Sequence, residues 1–185
     1  MMTAYFDKIS YYLPELTKAL TESGIMILLS IIAAIVLGLP LGTAVYLMQK
    51  APTKTNRFFS LFLNGYINIV RSFPFLLLVV ALIPFTRYVL GTAFGTYAAA
   101  LPLSVVAVAL YARFTEQVLL EVPEDIIELA QALGSTKRQL IFRFLYVEAR
   151  SGLVLSLTTV IISMVSYSTV MGVIGGGGIG DLALR

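Results

Sequence analysis

A glycine-rich run near the carboxyl end is the stretch whose composition most suggests chemistry: GVIGGGGIGD, from Gly172 to Asp181. Glycine-rich loops can cradle phosphates, but a Walker A loop ends in Gly-Lys-Ser/Thr, because the lysine meets the phosphates and the hydroxyl holds magnesium. Neither residue follows the glycines here. A dinucleotide fingerprint would need the strand and helix of a soluble domain around it. The run therefore predicts backbone that packs closely or rearranges, and no nucleotide site.

The chain also lacks the side chains on which most enzymatic and metal chemistry depends. It has no Cys and no His among its 185 residues. The absence of Cys excludes a disulfide framework, an iron–sulfur cluster and a thiolate zinc site. The absence of His removes the commonest general base and transition-metal ligand. We therefore expect no catalytic residue, no metal site and no enzymatic activity in this chain.

Two groups of polar residues lie within apolar sequence and could serve transport. Arg71, in NIVRSFPFLLL, either hydrogen-bonds loose carbonyls near Pro74 or lines a translocation path. The second group is a cluster of hydroxyls between residues 156 and 169, which either bond to neighbouring helices or form the wall of a path. From this cluster and the residues just after it we predict four translocation-path residues: Ser163, Ser166, Tyr167 and Met171.

Membrane-spanning helices would position these residues. The chain is 58% hydrophobic and only 12% charged, whereas a soluble domain has about 25% charged residues. Crossing the hydrocarbon takes about 20 mostly apolar residues, and four stretches meet that need: Gly24–Met48, Phe58–Phe85, Tyr97–Leu120 and Gly152–Ile174. The sequence thus predicts an all-α, polytopic membrane helical bundle, with residues 1–185 forming a single transmembrane domain. Glu116 is the only acid in these stretches, which disfavours coupling to protons or sodium ions.

The distribution of Lys and Arg predicts how the bundle is oriented. The connections after spans one and three contain eight basic residues: Lys50, Lys54, Arg57, Arg113, Lys137, Arg138, Arg143 and Arg150. The opposite side contains four: Lys8, Lys18, Arg87 and Arg185. The richer side is predicted to be cytoplasmic, so residues 1–23 are predicted to lie outside. Their aromatic residues, Tyr5, Phe6, Tyr11 and Tyr12, are typical of an amphipathic helix at the membrane interface.

A charged segment between spans three and four, EDIIELAQALGSTKRQLIFRF, reads as two short helices separated by Gly134. Pro123 suits a first helical position, Gly134 a helix end, and Ser135 the cap of the next helix. Four apolar residues share one face of the first helix: Ile126, Ile127, Ala130 and Leu133. That face either packs on the protein's own spans or docks into a groove on a separate cytosolic protein.

The sequence ELAQALG, residues 128–134, resembles the EAA loop of ABC importer permeases, whose pattern is E-A-A-x-x-x-G. Glu128, Ala130 and Gly134 match that pattern, whereas Leu129 replaces its first alanine and the later proline is missing. Three longer stretches are similar to the methionine-importer permease subgroup: VRSFPFLLLVVALIPFTRYVLGT, ARFTEQVLLEVPEDIIELAQALG and VSYSTVMGVIGGGGIGDLA. The resemblance extends from about residue 20 through nearly the whole chain.

The resemblance implies the permease subunit of an ATP-driven importer in the bacterial cell membrane, of type I fold. It implies a homodimer, two cytosolic ATPase subunits that carry ATP and magnesium, and an extracytoplasmic binding protein that delivers methionine. This chain itself would hold no cofactor and bind no nucleic acid. Residues 121–147 would form the cytoplasmic coupling loop. Its expected ATPase-docking residues are Ile126, Ile127, Glu128, Ala130, Leu133 and Gly134, with Glu128 as a polar contact and Gly134 as the turn.

Permeases of this subgroup have five spans, whereas four are predicted before Arg185.

Three alternative functions stay open at this point. A permease of the same class could carry another small solute, an ion-coupled carrier or channel could act without an ATPase, and a structural membrane subunit would have no path at all.

Overall fold

A computed structural model describes the backbone of residues 2–50 and 54–184, and side chains at 12–50 and 58–184. Within this part of the chain every regular element is helical, and three short π-helical segments interrupt or join the α-helices. The elements are α1 (Met2–Ala33), π-helical Ala34–Gly38, α2 (Leu39–Lys50), α3 (Lys54–Ser72), α4 (Phe75–Leu90), α5 (Thr96–Leu120), α6 (Glu124–Ala132), α7 (Lys137–Gln139), π-helical Leu140–Leu145, α8 (Tyr146–Glu148), α9 (Arg150–Met171), π-helical Gly172–Gly176 and α10 (Ile179–Leu182).

Among the described residues, three helices are long and apolar enough to cross a membrane, and each contains one predicted span. They are Tyr12–Lys50, with 39 residues, Thr96–Leu120, with 25, and Arg150–Gly176, with 27. The first, third and fourth predicted spans are therefore confirmed. The length of the apolar runs explains the result, because in a bilayer only a helix satisfies its backbone hydrogen bonds within one segment.

The second predicted span, Phe58–Phe85, is broken into two helices. The helix that ends at Ser72 and the helix that begins at Phe75 differ in direction by 120°. Pro74 explains the break, because proline has no N–H to donate and disfavours the α conformation of the residue before it. The second predicted span is therefore present as a bent pair of helices and not as one straight helix.

The broken pair still connects the two ends of the bundle, which we call the Lys50 end and the Glu22 end. Helix α3 begins shortly after Lys50. Beyond α4, the backbone N–H of Gly95 donates to the carbonyl of Gly175 at 3.0 Å, and this contact lies at the Glu22 end. Helices α3 and α4 together therefore make one interrupted crossing, which brings the number of crossings in the described part of the chain to four.

Helix α5 forms the centre of the bundle. In its most apolar window 67% of the residues are buried, compared with 22% for each of the other two long helices. Leu103 and Ala107 are fully buried, and α5 packs against Met26 of α1 and Met164 of α9 within one apolar cluster. Small residues allow the closest approach, since a Cβ on Gly42 would lie 2.3 Å from the carbonyl oxygen of Ala112.

The glycine-rich run caps the Glu22 end and is bonded to the first span. The Glu22 carboxylate accepts a hydrogen bond from the Gly178 N–H at 2.8 Å, and the Ser23 hydroxyl accepts one from the Ile179 N–H at 3.0 Å. Gly177 and Gly178 have φ values of +77° and +82°, a left-handed region that favours glycine. The run thus forms a close-packed cap whose amides bond to side chains of α1.

The amino-terminal segment is helical and continues directly into the first span. Helix α1 is continuous from Met2 to Ala33, so residues 12–23 extend the first span without a break. Ala19 and Ser23 are buried against the rest of the chain. The side chains of Tyr5, Phe6 and Tyr11 lie outside the described residues.

Candidate functional site

The charged segment at the Lys50 end folds into an elbow, which we define as residues 121–147. Its first helix, α6, starts after Pro123 and has Glu124 and Asp125 in its first turn, where carboxylates favour the positive end of the helix. Gly134 ends the first helical segment of the elbow and has a φ of +65°. The Gly134 N–H donates to Gln131 O at 2.9 Å and the Ser135 N–H donates to Ala130 O at 3.0 Å. These two bonds define a Schellman turn.

The second helix of the elbow, α7, begins one residue later than predicted. Thr136, and not Ser135, caps α7: its hydroxyl accepts from the Gln139 N–H, while the Gln139 side chain accepts from the Thr136 N–H at 2.8 Å. This reciprocal capping box needs a glutamine or glutamate three residues after the cap. Arg138 stands at that distance from Ser135, which explains why Ser135 does not serve.

The predicted apolar face of α6 divides between the protein's interior and its surface. Ala130 is fully buried, and Ile126 and Ile127 are half-buried against a cluster that contains Tyr46. Leu133 is 68% exposed. Three members of the predicted docking set are thus covered at least in part by this chain itself.

A neighbouring face of α6, which the sequence reading missed, is exposed. Leu129 is 52% exposed and lies one turn before Leu133, with Glu128 exposed beside it. Leu129 and Leu133 are four residues apart, a spacing that places both on one face of a helix. The periodic pattern alone could not show which of the two apolar faces of α6 is exposed. The exposed surface available to a partner is therefore formed by Glu128, Leu129 and Leu133.

An exposed ion pair joins the elbow to the end of the first span. The Lys50 ammonium donates to the Glu124 carboxylate at 2.7 Å. This hydrogen bond, followed by the nearby positive charge, holds the pKa of Glu124 below its ordinary value. A cleft of about 760 Å³ separates the elbow from α2, lined in part by Leu47, Gln131 and Leu140. The elbow is thus joined to α2 at its amino end by the ion pair, while the cleft separates the rest of α6 from α2.

Glu116 lies within the bundle near the elbow and is already paired. It is 1% exposed, accepts from the Arg113 guanidinium at 2.7 Å, and accepts a second hydrogen bond from the Gln49 amide. A nearby hydroxyl pair, Thr43 and Tyr146 at 2.7 Å, joins α2 to α8. The Gln49–Glu116 bond thus joins α2 to α5, and the Thr43–Tyr146 bond joins the elbow to α2.

The four predicted path residues do not form one site. Ser163 and Ser166 each donate to a carbonyl one turn earlier in α9, at 3.0 and 3.4 Å, so their donors are satisfied within their own helix. Met171 is buried. Tyr167 instead stacks on Phe75, with ring centroids 4.3 Å apart and an interplanar angle of 12°. Of the four, Tyr167 alone meets the break between α3 and α4.

Comparison with protein families identifies the class. Residues 35–185 match the model described as "Binding-protein-dependent transport system inner membrane component". The chain belongs to this family. The predicted fold class, membrane location and resemblance to ABC importer permeases are therefore confirmed.

Several relatives are similar along most of the chain. It is 42% identical over 151 residues to the probable D-methionine transport system permease protein MetI of Pasteurella multocida, covering 82% of this chain and 70% of that protein. It is 37% identical over 157 residues to the D-methionine transport system permease protein MetI of Escherichia coli K12, covering 85% of this chain and 72% of that protein.

Solved structures agree with the sequence relatives. A structure described as an inward-facing conformation of the MetNI methionine ABC transporter, in its CY5 native crystal form, superposes with a TM-score of 0.85 at 37% identity, over 91% of this chain and 78% of that one. An amino acid ABC transporter superposes with a TM-score of 0.75 at 21% identity, over 96% and 80% of the two chains. The latter likeness concerns the fold alone.

Proposed function

We propose that this protein is the permease subunit of an ATP-driven methionine importer and acts as a homodimer in the bacterial cell membrane. The observation that carries the proposal is the similarity to D-methionine permeases, at 42% and 37% identity over more than four fifths of the chain. The named function of those relatives requires two further features here: a path through the bundle and a surface that receives an ATPase.

The elbow supplies the second feature and is assigned to the cytoplasm. The connections at the Lys50 end contain eight of the basic residues, against four on the opposite side, and basic residues concentrate on the cytoplasmic face. In this orientation, residues 121–147 form the cytoplasmic coupling loop, and residues 1–23 lie on the extracytoplasmic side, where a binding protein delivers the substrate.

We assign the docking contact to the exposed side of α6. Leu129 and Leu133 present apolar surface and Glu128 adds a charge, while Ile126, Ile127, Ala130 and Gly134 give the elbow its shape and attach it to the spans. Amphipathic helices commonly lie in grooves of a partner with one apolar side inward. An ATPase subunit that accepts α6 in this way moves the spans when it closes, since α6 is fastened to them.

Energy for transport comes from that partner, which holds ATP and magnesium. Glu116 is the only carboxylate between residues 23 and 50 and in helices α3, α4, α5 and α9, and it is buried and paired with Arg113. A carboxylate engaged in this way is a poor carrier of protons or sodium ions, because its buried charge is already held by the Arg113 guanidinium and breaking such a pair is costly. Coupling to ATP hydrolysis fits the bundle better than coupling to an ion gradient.

The test is uptake of labelled methionine into proteoliposomes that contain the permease, its co-expressed ATPase and the binding protein. We expect ATP-dependent uptake that unlabelled methionine competes away, together with co-purification of the ATPase on a tagged permease. Uptake driven by a sodium or proton gradient without the ATPase would contradict the proposal. Competition by a different amino acid, with none by methionine, would contradict the substrate assignment alone.

A further inference from the structure

A small cavity lies at the break between α3 and α4 and is not explained by the elbow. Its volume is about 230 Å³, below the roughly 300–1,000 Å³ of pockets that hold drug-sized ligands. A ligand of this cavity is therefore a small solute. Its lining includes Arg71, Phe73, Phe75, Val106, Leu110 and Tyr167.

The cavity lies opposite the middle of the central helix. Val106 is ten residues after the first residue of α5 and Leu110 is ten residues before its last, so each is about 15 Å from the nearer end of that helix at 1.5 Å per residue. Arg71 thus places a guanidinium at mid-depth of the bundle. Ionisable side chains at this depth are costly next to lipid and generally face a partner or a water-filled cavity.

Arg71 has an exposed side chain and no ionic partner within the described part of the chain. The ion pairs found there are Lys18–Glu22, Lys50–Glu124 and Arg113–Glu116, and none of them includes Arg71. The guanidinium offers five N–H donors in a planar fork that matches a carboxylate. The cavity at mid-depth therefore contains an unpaired cation suited to an anionic group.

Aromatic rings form another wall of the same cavity. Phe75 and Tyr167 stack with centroids 4.3 Å apart, and the Tyr167 hydroxyl makes no hydrogen bond within the described residues. A thioether sulfur makes favourable contacts with aromatic rings at about 5 Å. This wall suits a side chain that is apolar and polarizable, and the free hydroxyl can serve a polar group of the same ligand.

We propose that this cavity is a substrate-binding site in the permease itself, in which Arg71 binds the α-carboxylate of the transported amino acid and the Phe75–Tyr167 pair contacts its thioether side chain. The inference rests on the proposed function and adds to it the residues that recognise the substrate within the bundle. It also assigns Arg71 to a ligand and not to loose carbonyls near Pro74.

The larger cavity at the Glu22 end is less suited to this ligand. It measures about 420 Å³ and is lined by Glu15, Glu22 and Asp181, with Lys18 as its basic residue. Three carboxylates against one ammonium disfavour the carboxylate of an amino acid. The charge of the lining therefore selects the smaller cavity at Arg71.

The experiment measures binding of labelled methionine to the purified permease–ATPase complex in nanodiscs without the binding protein, with the ATPase alone as the blank. Methioninamide, which lacks the carboxylate, is the matched competitor. In the unaltered complex we expect methioninamide to bind at least ten times more weakly than methionine. A charge-assisted hydrogen bond of about 1.5–3 kcal/mol corresponds to a loss of about 10- to 100-fold in Arg71→Gln, with no preference left between the two ligands.

Three further variants separate recognition from folding. Arg71→Lys should recover part of the affinity, because it keeps the charge but not the planar fork. Tyr167→Leu should weaken both ligands while the preference for the carboxylate persists. Arg87→Gln removes an exposed arginine in the last turn of α4 that does not line this cavity, and it should bind as the unaltered complex does.

The inference is overturned if the complex imports methionine but binds it no better than methioninamide, or if Arg71→Gln keeps the preference. The comparison of methionine with methioninamide uses only the unaltered complex. The inference can therefore be refuted even if Arg71→Gln fails to assemble. Absence of ATP-dependent methionine uptake by the unaltered complex would instead refute the proposed function.

Discussion

Substitution of Gly134 isolates the contribution of one backbone conformation to coupling. Its φ of +65° lies in the left-handed region, and a Cβ built there meets nothing within 4 Å. A side chain at this position is therefore penalised by the backbone and not by a collision. For an L-residue the left-handed conformation costs roughly 1–2 kcal/mol.

The elbow has two ways to respond to Gly134→Ala or Gly134→Val. It can keep the turn and accept that cost, or it can abandon the Schellman turn and lose two hydrogen bonds, each worth about 0.5–1.5 kcal/mol. Both routes cost about 1–3 kcal/mol, and even 1–2 kcal/mol shifts a local equilibrium by a factor of about 5–30. We expect Gly134→Val to lower both ATPase co-purification and ATP-dependent uptake, with Gly134→Ala intermediate.

Two control variants make this prediction specific. Gly134→Asn should behave nearly as the unaltered protein does, because asparagine tolerates the left-handed region better than other L-residues. Gly65→Ala also adds a Cβ with nothing within 4 Å, but in the middle of α3, where alanine favours the helix. Normal coupling in Gly134→Val would refute the reasoning, as would an equal loss in the valine and asparagine variants.

Two other predictions concern contacts within the bundle and at the elbow. In Gly42→Ala the new Cβ would lie 2.3 Å from the Ala112 carbonyl oxygen. We therefore expect overpacking to cost about 1–3 kcal/mol of stability, measured as a lower Tm of the purified complex. The control Gly24→Ala, which has open space around the new Cβ, should leave Tm unchanged. Lys50→Glu or Glu124→Lys should each reduce the ATPase activity stimulated by the binding protein, and the double exchange should restore it. Because the Lys50 hydrogen bond lowers the pKa of Glu124, the pair is fully formed above the ordinary glutamate pKa and is lost as pH falls through the lowered value. Glu124→Gln should remove that acid-side loss from the pH profile.

The membrane explains why so much of the fold was predictable. Backbone groups in hydrocarbon must bond within their own segment, so an apolar run of sufficient length specifies a helix almost regardless of its neighbours. The spans around Leu103 and Val160 follow from that rule alone. Pro74 explains why the second span is interrupted, but the 120° change of direction also depends on how α3 and α4 each pack against α5, which no local rule contains.

The candidate sites were less predictable because they depend on which surface covers which residue. The period of α6 placed Ala130 on the apolar face, but only the structure shows that this chain itself buries Ala130. Sequence spacing gave no reason to connect Arg71 with Tyr167, which are 96 positions apart in the chain (167 − 71). Only the packed bundle brings them to the same cavity.

The positions of the bonded and the interrupted segments suggest how movement of the elbow reaches the cavity that contains Arg71. At the Lys50 end the elbow is held by Lys50–Glu124, by Thr43–Tyr146 and by the buried side of α6, so a movement of α6 displaces α2 with it. At mid-depth, the break at Pro74 has no continuous ladder of helical hydrogen bonds. A bundle that is pushed at its fastened end yields first where bonds are fewest, which here is the wall of the cavity that contains Arg71. Because the fold resembles an inward-facing transporter, we expect closure of the ATPases to change that cavity by moving α4 about Pro74, with α5 as the fixed axis.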